Sequence, residues 1–163
     1  MTQVKKSRMK PRLGQLMAQK GGMYVAEALK RADATMETLR EPSLSGIDDY
    51  ITALDALLTS GLDEAVLMEG LYARAGDIVS LSGAERNEAV QIAARSLCDL
   101  LDEAHGLTPS VLAGIKVYIA SIKLLHRAPD DAALHGPILQ GLASVLEKHR
   151  GENRAQSAAA QED

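Results

Sequence analysis

The chain has 163 residues, 46% of them hydrophobic but only 2% aromatic, a formal net charge of −4 and a single cysteine. The length suits one domain with an extension. The lone cysteine excludes an intramolecular disulfide and a cysteine-based zinc site. The chain contains no run of about 18 apolar residues, the length that would predict a membrane span. Its N-terminus lacks the apolar run of a signal peptide. We therefore expect a cytoplasmic protein with an aliphatic core.

Residues 1–20 read as a flexible basic arm. Its first twelve residues carry no acid but five basic side chains, which are Lys5, Lys6, Arg8, Lys10 and Arg12. The rest of the chain is acidic and would repel phosphate, and five charges give only modest, salt-sensitive binding to nucleic acid. We expect a solvating or partner-docking arm rather than one that binds nucleic acid or an anionic membrane.

Residues 21–61 predict a helical extension. Two apolar stripes at helical spacing follow one another, and Pro42 lies between them. The first comprises Val25, Ala28, Leu29, Ala32, Met36 and Leu39, and the second Ile47, Tyr50, Ile51, Leu54, Leu57 and Leu58. Proline disfavours helix at the preceding residue, so the extension is either two helices or one long helix kinked at Pro42. Its apolar positions would be exposed unless the extension packs on the bundle or on a second copy. Together with Pro42, this predicts a homo-oligomer, most simply a dimer.

Residues 62–150 predict an up-and-down four-helix bundle. Its first helix runs from Asp63 to Leu81, and Ser82–Glu85 has the spacing of a capping box that starts the second. The second helix ends at Gly106, and Thr108–Pro109 pairs a cap with an N1 proline for the third. Asp130 caps the fourth, in which Pro137 marks either a kink or the true start.

Long apolar stripes support this bundle. They comprise Ile92, Ala93, Ser96, Leu97, Leu100, Leu101 and Ala104, then Val111, Leu112, Ile115, Tyr118, Ile119, Ile122 and Leu125, then Ile138, Leu142, Val145 and Leu146. Gly151 should end the last helix, because residues 151–163 have no apolar face and predict a disordered tail. The predicted fold class is all-α, an up-and-down helical bundle with an N-terminal helical extension and disordered termini.

The four histidines do not predict phosphotransfer or metal binding. A phosphoacceptor histidine lies exposed in mid-helix, whereas His126 extends an apolar stripe and His135 precedes Gly136–Pro137. His105 and His149 fall at predicted helix C-termini, where the helix dipole favours a cation. No two histidines have metal-binding spacing. We therefore predict no catalytic, cofactor-binding or metal-binding residues, and no enzyme.

Acidic residues dominate the segment from Glu41 to Ala73, which contains no Lys or Arg. Paired acids at helix starts are typically solvated or interact with the helix dipole. A surface of one charge is also suited to contact a basic partner. The residues predicted to contact a partner are Asp48, Asp49, Asp55, Asp63 and Glu64.

The segment Gly21-Gly22-Met23-Tyr24-Val25-Ala26-Glu27-Ala28-Leu29 resembles CheE proteins, which are encoded in alphaproteobacterial chemotaxis gene clusters. The similarity continues at Leu39-Arg40, Leu44, Ile47-Asp48, Ile51, Leu71-Tyr72 and Ser96-Leu97-Cys98-Asp99-Leu100-Leu101-Asp102. Pro42 and the run from Glu41 to Ser45 depart from it. The resemblance implies a cytoplasmic accessory protein of chemotaxis and carries no catalytic residues.

The leading functional hypothesis is a non-enzymatic helical adaptor or regulator that binds a chemotaxis kinase, receptor or response regulator. The alternative is a histidine phosphotransfer protein or a phosphatase helper of a two-component pathway. A helper that orients a hydrolytic water needs an exposed acid or amide on a helix, for which Gln91 and Asp99 are the candidates.

Overall fold

The computed structural model describes residues 24–85 and 87–159. These residues form five helices and no strand, which confirms the all-α prediction. The helices are α1 Val25–Thr59, α2 Glu64–Glu85, α3 Glu88–Glu103, α4 Pro109–Arg127 and α5 Ala132–Ala159. Across the described ranges, none of these helices has the length and apolarity needed to cross a membrane. The basic arm predicted over residues 1–20 lies outside the described residues.

Helix α1 passes through Pro42 without a break, so the single long helix is the correct one of the two arrangements. Pro42 lacks an amide N–H and costs the helix one hydrogen bond. The apolar side chains on either side of it still lie on helical faces. The chain divides into two compact units, Met1–Glu37 and Thr38–Asp163, with the boundary inside α1.

In the unit Met1–Glu37, the described residues form the first turns of α1, and every one of them is exposed. The exposed fractions are 83% for Tyr24, 75% for Val25, 60% for Leu29 and 38% for Met36. Val25, Leu29 and Met36 share one helix face with the alanines between them. We call this face the arm stripe, and it comprises Val25, Ala28, Leu29, Ala32 and Met36.

The unit Thr38–Asp163 contains one continuous core to which all five helices contribute. Ile47, Ile51 and Leu54 of α1 are buried in it, so the core begins before residue 62, where the sequence placed the start of the bundle. Leu97 and Leu100 are buried as predicted, but Ile92 is 44% exposed. The buried face of α3 includes Ala93, as predicted, and also Ala89 and Ala94.

Consecutive helices of this unit run antiparallel. Gly46 of α1 lies against Leu81 of α2, and Gly70 of α2 lies against Leu57 of α1. The Gln91 amide of α3 donates to the Val79 carbonyl of α2 at 3.4 Å. Further along the chain, Ser110 of α4 contacts Glu152 of α5. The start of each of these helices therefore lies beside the end of its neighbour, as in an up-and-down bundle.

The junction of α2 and α3 differs from the predicted capping box. Ser82 lies inside α2, is fully buried, and donates its hydroxyl to the Ile78 carbonyl at 2.6 Å. The cap of α3 is Asn87, whose side chain accepts from the Val90 amide at 3.2 Å. A capping box has no effect where the backbone of the preceding helix continues through its serine. The Thr108 cap of α4 is confirmed, since its hydroxyl accepts from the Val111 amide.

Helix α5 continues to Ala159, so the predicted end at Gly151 is wrong. Two contacts hold the extra turns. Glu152 accepts from the Ser110 hydroxyl, and Asn153 donates to the Glu103 carbonyl at 2.8 Å. Gly151 costs helix stability of only about 1 kcal/mol relative to Ala, which such contacts and the neighbouring Ala, Glu and Arg residues offset.

Candidate functional site

The five acids predicted to contact a partner lie along the second half of α1 and at the start of α2. All except Asp55 are exposed. Three of them, Asp48, Asp55 and Glu64, also contact other parts of the same unit. The acidic segment therefore contributes to the fold as well as to the surface.

Two of the acids connect α1 to α4. Asp48 Oδ1 lies 3.2 Å from Nε2 of His126, and the Asp55 carboxylate pairs with the Lys123 ammonium. Only 6% of the His126 side chain is exposed, and its Nδ1 is buried with no hydrogen-bond partner among the described residues. The Nε2 atom carries the proton that faces Asp48, because a proton on Nδ1 would have no acceptor among the described residues.

Glu64, the first residue of α2, holds the connection between α3 and α4. Its Oε1 accepts from the Leu107 amide at 2.6 Å. The adjacent Gly106 has φ +152° and approaches so closely that a Cβ there would stand 3.0 Å from the same oxygen. Glycine is required at this position both for backbone conformation and for space.

Asp49 and Asp63 are the predicted contact residues that the fold leaves unused. Within the described residues, no hydrogen bond or ion pair engages either side chain. Asp49 lies on the solvent face of α1, and the Asp63 carbonyl accepts from the Leu67 amide while its side chain is exposed. Their carboxylates remain open to a partner.

The histidines occupy structural positions. His126 and His149 are buried, and the His135 Nε2 lies 3.1 Å from the Ala128 carbonyl. His149 is in the middle of α5 rather than at a helix C-terminus, which corrects the sequence interpretation. His105 alone is exposed, in the connection that follows α3.

An ion-pair network fastens α5 to the end of α3. The Arg150 guanidinium donates to both carboxylate oxygens of Glu103, at 3.0 and 2.9 Å from Nε and at 2.6 Å from Nη2, and to Glu147 at 2.9 Å. These hydrogen bonds lower the pKa of Glu103 and raise that of Arg150. Bidentate pairing of this kind fixes orientation, and here it sets the register of two helices.

Cys98 lies half-buried on α3. Burial raises the pKa of its thiol, and the nearby carboxylates of Asp102 and Asp99 raise it further. A raised pKa lowers the fraction of the nucleophilic thiolate, so this cysteine is not activated. The charge of Asp102 also raises the pKa of the neighbouring Tyr72.

Sequence reasoning missed a groove between α4 and α5. Gly114 lies beside this groove and allows close packing of α4, because a Cβ there would stand 3.3 Å from Leu100 Cδ2 and 3.4 Å from Val145 Cγ1. The groove is lined by Leu100, Ser110, Val111, Ala113, Gly114, Val117, Val145, Lys148, His149 and Glu152. In the described ranges no group of three His, Cys, Asp or Glu residues is arranged to hold a metal ion.

Comparison of the chain with protein-family models, curated proteins and solved structures finds no match.

Proposed function

We propose that this chain is a non-enzymatic cytoplasmic helical adaptor of chemotaxis signalling, acting by protein–protein binding. The observation that carries the proposal is the exposed arm stripe of α1. Large apolar side chains repeat along one helix face there, with 75% of Val25 and 60% of Leu29 exposed. Exposed apolar patches of this kind mark sites of protein interaction.

The opposite face of this helix segment is polar and exposed to solvent. Glu27 and Arg31 form an ion pair at 2.6 Å on the face opposite the arm stripe, and Lys30 lies on the same polar side. An amphipathic helix gains most of its stability by packing its apolar face. Burying a leucine-sized side chain contributes about 1.5–3 kcal/mol. A second helix laid on the arm stripe therefore stabilises α1.

We propose that the second helix is the same first part of α1, with its arm stripe, from another copy of the chain. The working unit would then be a homodimer. Two copies can meet through the same patch about a two-fold axis, which is the commonest oligomer symmetry. The side chains at the centre of the arm stripe are Leu29 and Ala32, which lets a large residue pack beside a small one. No charged residue belongs to the arm stripe, so its burial costs no desolvated charge.

The partner in this proposal is a chemotaxis kinase, receptor or response regulator, and that choice rests on the sequence resemblance to CheE proteins. Asp49 and Asp63 are the proposed charged contacts, because their carboxylates have no structural use among the described residues. Asp48, Asp55 and Glu64 are proposed as secondary contacts that would have to share their intramolecular partners.

The positions of the histidines support the adaptor over the phosphotransfer alternative. Phosphotransfer requires an exposed histidine that a docking protein can reach in mid-helix. The mid-helix His149 is buried, as is His126. The helper alternative is also weakened at Gln91, because its amide is half-buried and donates to the Val79 carbonyl.

Light scattering tests the dimer. The full chain should have the mass of a dimer at micromolar concentration, whereas Leu29→Glu should weaken association by at least about tenfold, since it puts a charge into an apolar seam. Lys30→Gln lowers the net charge by the same single unit on the polar face and should leave the dimer intact. A monomeric wild type, or equal effects of the two variants, contradicts the proposal.

Calorimetric titration tests the partner contacts. Purified kinase, receptor signalling region and response regulator from the same cell are titrated separately with the full chain. One of them should bind, and Asp49→Lys should weaken that binding by about threefold or more, as for an interfacial charge. Asp131→Lys, an exposed acid in the connection before α5, is the matched control. Absence of binding to all three proteins rejects the chemotaxis assignment.

A further inference from the structure

Burial along α1 changes abruptly at Pro42. Every residue from Tyr24 to Pro42 is exposed, whereas Ser43 is only 7% exposed and Ile47 is fully buried. The helix nevertheless continues through this position to its end at Thr59. The core therefore holds the part of α1 that follows Pro42, and no burial supports the part that precedes it.

Pro42 makes it costly for the helix to continue at this point. A proline has no N–H to donate to the carbonyl four residues earlier, and its ring crowds that carbonyl. It also disfavours helical backbone at the preceding residue, Glu41. By contrast, proline suits the first position of a helix, where an N–H has no helical acceptor. Without further contacts, the local sequence therefore favours a helix that begins at Pro42 over one that passes through it.

The helical segment 25–41 is weak without a partner for its apolar face. An isolated helix of about 15 residues is marginal in water even when it is rich in alanine. This segment also contains Asp33, Thr35 and Thr38, residue types with lower helix propensity than alanine. Burial of the arm stripe is the contribution that can offset both this weakness and the cost of Pro42.

We propose that Pro42 is the hinge of a conformational switch in α1, an inference that rests on the dimer proposed above. In a chain whose arm stripe is uncovered, α1 begins at Pro42, and residues 25–41 lose their helical hydrogen bonds. When the arm stripe packs on a second copy, its apolar contacts offset the cost of the proline, and α1 extends to Val25 as in the structure. Association and helix formation are thus a single step, and the free chain does not present an apolar helix face.

Hydrogen exchange of the full-length Leu29→Glu variant tests the switch in a chain that cannot pair through the arm stripe. Glutamate and leucine have similar helix propensities, so the substitution does not itself melt the helix. Amides of residues 26–41 should exchange within about tenfold of the rate of an unstructured peptide, whereas those of residues 47–58 should stay protected. Adding Pro42→Ala should slow exchange of residues 26–41 by at least about tenfold, because the helix anchored in the core can then extend.

Pro137→Ala is the matched control, because it removes a proline from inside a different helix, α5. In the Leu29→Glu background it should leave the exchange of residues 26–41 unchanged. Two results overturn the switch. One is equal protection of residues 26–41 and 47–58 in Leu29→Glu, and the other is an equal effect of Pro42→Ala and Pro137→Ala on residues 26–41.

The chain without Leu29→Glu tests the coupling to association. Residues 26–41 should gain protection at the concentrations where light scattering gives the mass of a dimer, and Pro42→Ala should tighten that dimer by at least about tenfold, because it pre-forms the helix. Protection that does not change between monomer and dimer overturns the coupling. A wild type that stays monomeric contradicts the dimer, and the exchange of Leu29→Glu with and without Pro42→Ala then still decides whether Pro42 controls the helix.

Discussion

The phenol of Tyr118 on α4 donates a hydrogen bond to the Leu142 carbonyl of α5 at 2.9 Å, in the interior of the bundle. A tyrosine has one O–H, so the Ser96 hydroxyl of α3 must donate to the same oxygen, at 2.7 Å. One buried side chain thereby joins three helices. Its burial also raises the pKa of the phenol, which keeps it protonated and able to donate.

Tyr118→Phe should lower the free energy of unfolding by about 1–2 kcal/mol, because it removes two buried hydrogen bonds and leaves the Ser96 hydroxyl without its acceptor. Urea denaturation followed by circular dichroism measures the change. Tyr72→Phe, at a position 43% exposed, should cost less than about 0.5 kcal/mol. Equal costs at the two positions would mean that the Tyr118 phenol does not link the helices.

Leu97→Ala or Leu100→Ala should each cost about 2–5 kcal/mol, since both side chains are at most 1% exposed and their removal leaves cavities in the core. Leu124→Ala is the control, on a side chain that is 46% exposed. Thermal or chemical denaturation measures both. A loss below about 1 kcal/mol at both core positions would show that α3 buries a different face.

Two glycine-to-alanine changes should have opposite signs. Gly106→Ala should destabilise by more than about 1 kcal/mol, because φ is +152° and the new Cβ meets the Glu64 carboxylate. Gly76→Ala, inside α2 with nothing within 4 Å of the new Cβ, should stabilise by about 0.5–1 kcal/mol. If Gly106→Ala is neutral, the connection between α3 and α4 has a different backbone.

The Glu103–Arg150 pair should make the free energy of unfolding depend on pH in the acidic range. Hydrogen bonds from Arg150 place the pKa of Glu103 in the folded protein below its usual value of 4.5. Its carboxylate therefore stabilises the fold above that value, and the contribution is lost as pH falls through the lowered pKa. The difference in unfolding free energy between wild type and Glu103→Gln should shrink on acidification.

The Arg150→Gln background is the control for this pair. In that background, the difference in unfolding free energy caused by Glu103→Gln should no longer shrink on acidification. The Arg150 hydrogen bonds that lower the pKa of Glu103 have been removed there. A pH dependence that is identical in both backgrounds would assign the effect to another residue.

Much of the helical architecture was predictable because the aliphatic stripes are long and regular. The stripe through Ile115, Ile119 and Ile122 identifies a buried helix face with no help from tertiary contacts, and the Thr108–Pro109 cap marks the start of α4. These signals are local, and the structure confirms them.

Features that depend on contacts between helices were not predictable. Ser82 and Glu85 have the spacing of a cap, yet the backbone of α2 continues through both positions and Asn87 caps α3 instead. Gly151 resembles a helix end, but Asn153 is held by the Glu103 carbonyl 50 residues earlier. The groove between α4 and α5 exists only once α3, α4 and α5 are assembled.

The central claim, binding without phosphoryl transfer, is tested most directly by incubating the full chain with the radiolabelled phosphorylated kinase and, separately, the labelled response regulator. We predict a complex with one of these proteins, no acid-labile label on this chain, and an unchanged rate of label loss from its partner. Label that reaches this chain and disappears in a single-histidine variant, or faster label loss that disappears in Gln91→Ala or Asp99→Ala, would contradict the account.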